Sequence, residues 1–260
     1  MKVLFLGDVV GKPGRRAVRD WVPRLVARGE ADFVIANGEN ASGGIGIDPK
    51  GADELFSAGV DVLTSGNHVW RKREITDYID RVPAFTRPAN FPPGTPGAGW
   101  VVRESAGGVP VAVLNLMGRV FMQALDCPFR TADALVPMLR ERARVVVVDM
   151  HAEATSEKAA MGWHLAGRVS AVLGTHTHVQ TVDEEILAGG TAYITDVGMC
   201  GPTDSVIGMK KETVLKRFLT SLPDRFEVAS GPALLQGVVV EVDEASGEAR
   251  HIRRVREPVP

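Results

Sequence analysis

Two histidines with the spacing of metal ligands follow an apolar run in the C-terminal half of the chain. His176 and His178 lie in "GTHTHVQT", directly after "VSAVLG". Imidazole nitrogens bind Mn, Fe and Zn in proteins. This pair could therefore hold a metal ion if other segments supply the remaining ligands.

Further ligand-type residues occupy equivalent positions, each after a short apolar run that predicts a strand. They are Asp8 after "KVLFLG", Glu39 and Asn40 in "DFVIANGEN", Asn67 and His68 after "VDVLTSG", and His151 after "VVVVDM". Parallel strands bring their carboxyl ends to one crevice, so we expect these side chains to meet there. Carboxylate, amide and imidazole groups without a thiolate suit Mn, Fe or Zn better than a soft metal.

The number of candidate ligands indicates two ions. The set is Asp8, Glu39, Asn40, Asn67, His151, His176 and His178, which exceeds the needs of one tetrahedral ion. A bridging carboxylate would let the set hold two ions, and we predict Glu39 as that bridge. Two ions roughly 3.5–4 Å apart can hold a bridging hydroxide as a nucleophile.

Each residue alone also has an ordinary structural interpretation. Asp8 could cap the next helix, and "NGEN" and "GNH" have the composition of turns. A single histidine is more often hydrogen-bonded than ligating, and we interpret His164 and His251 in this way. The placement of the other residues at equivalent strand ends favours a metal site.

Composition favours an ordinary globular protein over a membrane or nucleic-acid-binding protein. The 260 residues are 45% hydrophobic, and the formal net charge of −2 offers no general attraction to RNA or an anionic membrane. Cys127 and Cys200 do not form a disulfide framework, and the apolar start "KVLFLG" is too short to span a bilayer. We expect one domain over residues 1–260 and a cytoplasmic location, and the oligomeric state is left open.

Strand-like runs alternate with segments of helical period, which predicts an α/β fold. Pro23 should break or kink the first helix, at a cost of about 3 kcal/mol in a helix interior. The predicted strands are "KVLFLG", "DFVIANG", "VDVLTSG", the hairpin "WVVRES" with "VPVAVLNL", "RVVVVDM", "VSAVLG", "TAYIT" and a terminal hairpin of "ALLQGVVVEVD" with "ARHIRRVRE". The predicted helices cover 11–29, a segment capped by Asp48 and ending before Gly59, and about 131–143 and 156–166.

The motifs "GDVVG", "NGEN", "GNHVW", "DMHAEATSEK" and "GTHTHVQT" resemble those of calcineurin-like metallophosphoesterases. The resemblance is closest to the YmdB-like branch of bacterial 2′,3′-cyclic-nucleotide 2′-phosphodiesterases, and it extends from residue 4 to about 208. It implies a four-layer αββα sandwich of two mixed sheets. It also implies one metal held by Asp8, Glu39, Asn40 and His178, a second held by Glu39, Asn67, His151 and His176, and His68 as general acid.

Two positions depart from the broader superfamily. Val10 stands where a histidine usually follows the first aspartate, and Glu39 stands where the bridge is usually an aspartate. Both differences fit the YmdB-like branch, with Asn40 in place of the missing imidazole. One imidazole fewer favours Fe or Mn over Zn.

The implied reaction is in-line hydrolysis of 2′,3′-cyclic nucleotides and generic phosphodiesters by the bridging hydroxide. His68 would protonate the departing ribose 2′-oxygen and leave a 3′-nucleotide. Lys12 or Arg15 could neutralise developing charge, although both could equally be solvated residues of a helix start. The same ambiguity applies to Ser156, Glu157 and Lys158 in "TSEK".

Other classes fit the sequence less well. "GDVVGKPG" has three residues between its glycines instead of four and Pro13 where a P-loop needs serine or threonine. No dinucleotide-binding glycine fingerprint follows the first strand. The alternative that is left open is a metal-containing regulatory protein that senses nucleotides or RNA with little turnover.

Overall fold

The strands form two mixed sheets in the computed structural model, which describes residues 1–259. In chain order the elements are β1 (Lys2–Leu6), β2 (Asp8–Val9), α1 (Gly11–Ala27), β3 (Phe33–Asn37), α2 (Pro49–Ser57), β4 (Val62–Thr64), α3 (Ile75–Arg81), β5 (Trp100–Glu104), β6 (Pro110–Met117), α4 (Pro128–Arg142), β7 (Val145–His151), α5 (Thr155–Leu165), β8 (Ala171–Thr175), β9 (Glu185–Leu187), β10 (Thr191–Ile194), β11 (Met199–Pro202), α6 (Lys211–Thr220), β12 (Ala233–Val242) and β13 (Ala249–Pro258).

The two sheets share a common plan, with parallel strands at the centre. The first has the order β2-β11-β12-β1-β3-β4, with β13 paired to β12, and the second has the order β5-β6-β7-β8-β10-β9. In the first, β1, β3 and β4 run parallel and β12 is antiparallel to β1. In the second, β6, β7, β8 and β10 run parallel.

Successive side chains of a strand point to opposite faces of its sheet and so belong to different core layers. In β1, Val3 and Phe5 belong to a core that also contains Val147 of β7, so they pack between the two sheets. Leu4 and Leu6 alternate with them and join the core that contains the buried face of α1. A third core packs β6 and β7 against α4 and α5. The predicted four-layer αββα sandwich of two mixed sheets is confirmed.

Most predicted elements form, and two details differ. Pro23 lies inside a helix that continues to Ala27, so it does not end α1. Asp8 does not cap α1, because it lies in β2 and Val10 is the N-cap residue. Asp48 does cap α2, since its Oδ1 accepts the Gly51 N–H at 2.7 Å.

The sequence predictions lacked α3, α6, β2, β9 and β11. The three strands have only two to four residues. Helix α6 buries only Val214 and exposes Leu215, Phe218 and Leu219. These four apolar residues share one helical face, so the period was present in the sequence even though most of that face is exposed. Among residues 1–259, no helix has the length and apolar character needed to cross a membrane.

Candidate metal centre

The predicted site residues meet between the two sheets. The first sheet supplies Asp8 in β2 and the segments after β3 and β4, and the second supplies the ends of β7 and β8. The strand ends bring these residues together, but the ends belong to two facing sheets. The side chains of Asp8, Glu39, Asn40, His151 and His178 are buried, and those of Asn67, His68 and His176 are partly buried.

One half of the cluster is centred on Nε2 of His151. This nitrogen lies 3.0 Å from Oδ1 of Asn67, 3.1 Å from Nδ1 of His176 and 3.3 Å from Oε2 of Glu39. The ligand atoms of Glu39, His151 and His176 all lie within 4.8 Å of one another. One cation could therefore contact all of these groups.

The other half of the cluster surrounds Oε1, the second carboxylate oxygen of Glu39. Asn40 Nδ2 lies 3.1 Å from Glu39 Oε1 and 3.3 Å from His178 Nε2. Nε2 of His178 is 3.6 Å from Oδ1 of Asp8. That oxygen is buried and has no hydrogen-bond partner among residues 1–259. A buried carboxylate oxygen without a partner is costly, and a cation would satisfy it.

The three histidines have their outer nitrogens engaged by hydrogen-bond acceptors. Nδ1 of His151 lies 2.9 Å from Thr175 Oγ1, Nδ1 of His178 lies 2.9 Å from the Ile207 carbonyl, and Nε2 of His176 lies 3.1 Å from Glu153 Oε2. Donation of these N–H groups leaves the other nitrogen of each neutral ring as an acceptor facing the cluster. This arrangement is typical of metal-ligating imidazoles, so the donor set fits bound metal.

Behind His151 lies a buried polar network that the sequence analysis did not identify. Thr175 donates from Oγ1 to Asp149 Oδ1 at 2.6 Å, and Asn37 donates from Nδ2 to Asp149 Oδ2 at 3.1 Å. Thr64 also donates to Asp149. The only signal in the sequence is a single carboxylate at the end of the valine run in "RVVVVDM".

The charges in the cluster shift its pKa values strongly. Burial opposes ionisation of Glu39, but His151 and His68 beside it hold the pKa of its carboxyl well below the usual range. Burial alone would lower the pKa values of His151 and His178, but the carboxylates beside them, chiefly Glu39 and Asp8, raise both to about 9. Burial and neighbouring His151 lower the pKa of His176 to about 3.

The segment that carries the two histidines has an unusual backbone held by a buried ion pair. His176 has φ 96° and His178 has φ 64°, in the left-handed region that non-glycine residues rarely adopt. Between them, the N–H of Thr177 donates to Asp196 Oδ2 at 3.1 Å. Lys158 Nζ reaches the same oxygen at 2.7 Å and Thr177 Oγ1 at 3.2 Å.

The "TSEK" residues therefore do more than begin α5. Glu157 accepts the N–H of Arg119 at 3.0 Å and that of Val120 at 3.1 Å, and so fixes the loop after β6. Its neighbour Lys158 fixes the loop after β8, as described above. Both side chains are buried, and Ser156 is exposed.

The other polar residues considered from sequence lie away from the cluster. Arg15 is bound to Glu54 at 2.6 Å and Lys12 is exposed, and neither lines the cavity beside the cluster. His164 pairs with Asp133 at 2.9 Å, and His251 lies exposed on β13. The structural interpretation of these two histidines fits their positions.

A cavity of about 390 Å³ opens on the cluster. Its polar side includes Glu39, Asn40, His68, His176 and His178. Nδ1 of His68 lies 2.8 Å from Asn40 Oδ1 and 3.2 Å from Glu39 Oε1. His68 thus lies at the boundary between the cluster and the space that a substrate would enter.

This fold is that of the calcineurin-like metallophosphoesterases, with helices outside two mixed sheets and a polar cluster between the strand ends. Comparison with known families narrows the assignment. The chain belongs to the YmdB-like protein family, whose model matches residues 4–255.

Individual relatives match over almost the whole chain. The chain is 52% identical over 255 residues to a 2′,3′-cyclic-nucleotide 2′-phosphodiesterase of Bacillus subtilis (strain 168), covering 98% of this chain and 96% of that protein. A crystal structure of a hypothetical protein from Thermus thermophilus superimposes with a TM-score of 0.94 at 45% identity, with full coverage of both chains. The crystal structure of a phosphatase from Mycoplasma pneumoniae superimposes with a TM-score of 0.92 at 36% identity, covering 99% of this chain and 93% of that one.

Proposed function

We propose that this protein is a metal-dependent phosphodiesterase that hydrolyses 2′,3′-cyclic nucleotides and generic phosphodiesters. The observation that carries the proposal is the position of Glu39. Its Oε2 faces His151 at 3.3 Å and its Oε1 faces Asn40 and His68. The 52% identity to the B. subtilis phosphodiesterase supports the same substrate class.

The residues divide into two ligand sets that share Glu39. Asp8, Glu39, Asn40 and His178 would hold one ion, and Glu39, Asn67, His151 and His176 would hold the other. Oxygen and imidazole donors suit Fe or Mn. When bound, the two ions would supply a nucleophile derived from water and neutralise charge on the phosphoryl oxygens.

His68 is the group of this chain placed to move a proton. Its Nδ1 is engaged by Asn40 Oδ1 at 2.8 Å, which leaves Nε2 to hold the proton that is transferred. As water attacks phosphorus, the bond from phosphorus to the ribose 2′-oxygen breaks and that oxygen takes the Nε2 proton. The product is a 3′-nucleotide, and proton loss from the attacking water balances the reaction.

Asn40 positions His68 in this scheme. The backbone N–H of His68 also donates to Glu39 Oε2 at 3.1 Å, so main chain and ring are both tied to the predicted bridge. Such fixed geometry matters because a general acid must lie within hydrogen-bond reach of the leaving oxygen. One contact to the main chain and one to the ring limit the movement of His68, which supports its assignment as the acid.

The competing function is a metal-containing sensor of nucleotides or RNA with little turnover. The net charge of −2 gives it no support as an RNA-binding protein. His68 argues for the enzyme, because the two ligand sets are complete without it.

A measurement of turnover distinguishes the phosphodiesterase from the sensor. Metal-free protein is supplied with Mn²⁺ and given adenosine 2′,3′-cyclic phosphate or bis(p-nitrophenyl) phosphate. The proposal expects hydrolysis of both and 3′-AMP as the product of the first. Tight binding of the cyclic nucleotide without any product from either substrate would favour the sensor.

A further inference from the structure

The cavity beside the metal centre has an apolar wall that the reaction described above does not use. Its side chains carry no strong hydrogen-bonding group, and we call this set the apolar wall. It comprises Val206, Ile207, Met209, Val214, Phe218 and Phe226. A phosphoryl group would contact the polar side of the cavity and would not need this surface.

The apolar wall is built by one segment that is tied to the candidate ligands. Ile207 accepts the Nδ1–H of His178 through its carbonyl at 2.9 Å. The N–H of Lys210 donates to the Glu227 carbonyl at 2.9 Å, which closes the segment around α6. These bonds hold Ile207 beside the cluster and join the two ends of the segment that carries α6.

Two aromatic rings of the wall are available to a ligand. Phe218 is 80% exposed and Phe226 is 38% exposed. The Arg217 guanidinium lies 4.9 Å from the centroid of the Phe226 ring, which orients that ring. Exposed aromatic side chains next to a polar site are typical of surfaces that stack nucleobases.

We propose that the apolar wall binds the nucleobase of the substrate, with Phe218 and Phe226 as stacking residues. This inference rests on the proposed phosphodiesterase function and narrows its substrate class to nucleoside cyclic phosphates. The cavity of about 390 Å³ falls within the range of about 300–1,000 Å³ found for small-molecule sites. Because stacking accepts every base, the wall would select a base over no base and discriminate weakly among bases.

The test compares two substrates that undergo the same ring opening. Adenosine 2′,3′-cyclic phosphate carries a base, and methyl riboside 2′,3′-cyclic phosphate carries a methoxy group in its place. Phe218→Ala should lower kcat/KM about tenfold more on the adenosine substrate than on the methyl riboside, chiefly through KM. Phe226→Ala should act in the same direction.

Leu219→Ala is the matched control, because Leu219 is 84% exposed on the same helix and does not line the cavity. It should leave kcat/KM on both substrates within about twofold of wild type, as expected for a surface change away from the site. Light scattering on each variant reports its oligomeric state.

Equal losses on the two substrates in Phe218→Ala, or no loss on the adenosine substrate, would overturn the base site. A fall in molecular mass together with equal losses would assign the wall to contact with a second copy of the chain, and would also overturn it. Failure of the phosphodiesterase function itself is distinguishable, because the wild-type protein would then hydrolyse neither substrate.

Discussion

Nε2 of His151 lies 3.1 Å from Nδ1 of His176. The other nitrogen of each ring is already engaged, in one case by Thr175 and in the other by Glu153. Two imidazole lone pairs at this distance repel unless a proton or a cation lies between them. Burial lowers the pKa of His151, but Glu39 and Asp8 raise it to about 9, so we expect this ring to carry the proton when no metal is bound.

Glu39→Gln should weaken both metal ions together. The substitution keeps the shape of the side chain but removes the charge that both halves of the cluster share, and Glu39 is the predicted bridge between them. Metal analysis after dialysis should find less of both ions. Glu141→Gln, an exposed glutamate on α4, is the control and should keep wild-type metal content. Loss of one ion with full retention of the other would contradict the bridging role.

Metal binding should release protons at pH 7.5. The pKa values of His151 and His178 are raised to about 9 by Glu39 and Asp8, against the effect of burial. Both rings are therefore protonated in the metal-free protein at this pH and must lose a proton to act as ligands.

Metal affinity should consequently rise with pH between about 6.5 and 9, and not level off near the ordinary histidine pKa of about 6.5. Calorimetry in buffers of different ionisation enthalpy counts the released protons. Release of none at pH 7.5 would mean that these two histidines are not ligands.

Thr175→Val should lower metal affinity about 10- to 100-fold, the usual effect of removing a partner of a ligating histidine. Thr175 Oγ1 accepts from Nδ1 of His151 at 2.9 Å and donates to Asp149 at 2.6 Å, and valine has the same shape without the hydroxyl. The measurement is a competition titration against a fluorescent chelator.

Thr191→Val is the control for lost packing and hydrogen bonding, because Thr191 is also buried and donates to the Val169 carbonyl at 2.6 Å. It should affect the free energy of unfolding without affecting metal affinity. Equal metal affinities for the two variants would refute the positioning role of Thr175.

His68→Ala should keep both metals and lose activity by about 10²–10⁴-fold, the usual contribution of a general acid. The loss should be larger for adenosine 2′,3′-cyclic phosphate, whose alkoxide leaving group needs a proton. It should be smaller for bis(p-nitrophenyl) phosphate, because p-nitrophenolate leaves without one. Metal loss in the variant, or equal losses on the two substrates, would require another acid.

The sequence predicted that the candidate ligands lie together, because each of them follows an apolar run. It did not predict the buried polar residues that hold those side chains in place. Asp149 interacts with Asn37 and Thr64, which are 112 and 85 residues away, and a valine run gives no sign of such partners. Lys158 and Asp196 likewise meet only because α5 packs beside β8 and β10.

The apolar wall was equally inaccessible from sequence. The apolar residues Val214, Leu215, Phe218 and Leu219 share one face of α6, so the helical period was present but the sequence analysis did not identify it. That period does not reveal that Phe218 borders the site. The wall can be recognised only from the structure, in which the Ile207 carbonyl contacts His178. Only the tertiary contacts show which of the exposed apolar residues face the site.

Titration of metal-free protein with Mn²⁺, with both bound metal and hydrolysis of adenosine 2′,3′-cyclic phosphate followed, shows whether the phosphodiesterase site needs two metals. Activity should rise to a plateau only as the second equivalent per chain binds. Full activity at one equivalent, or activity in the metal-free protein that added Mn²⁺ does not increase, would contradict the two-metal requirement.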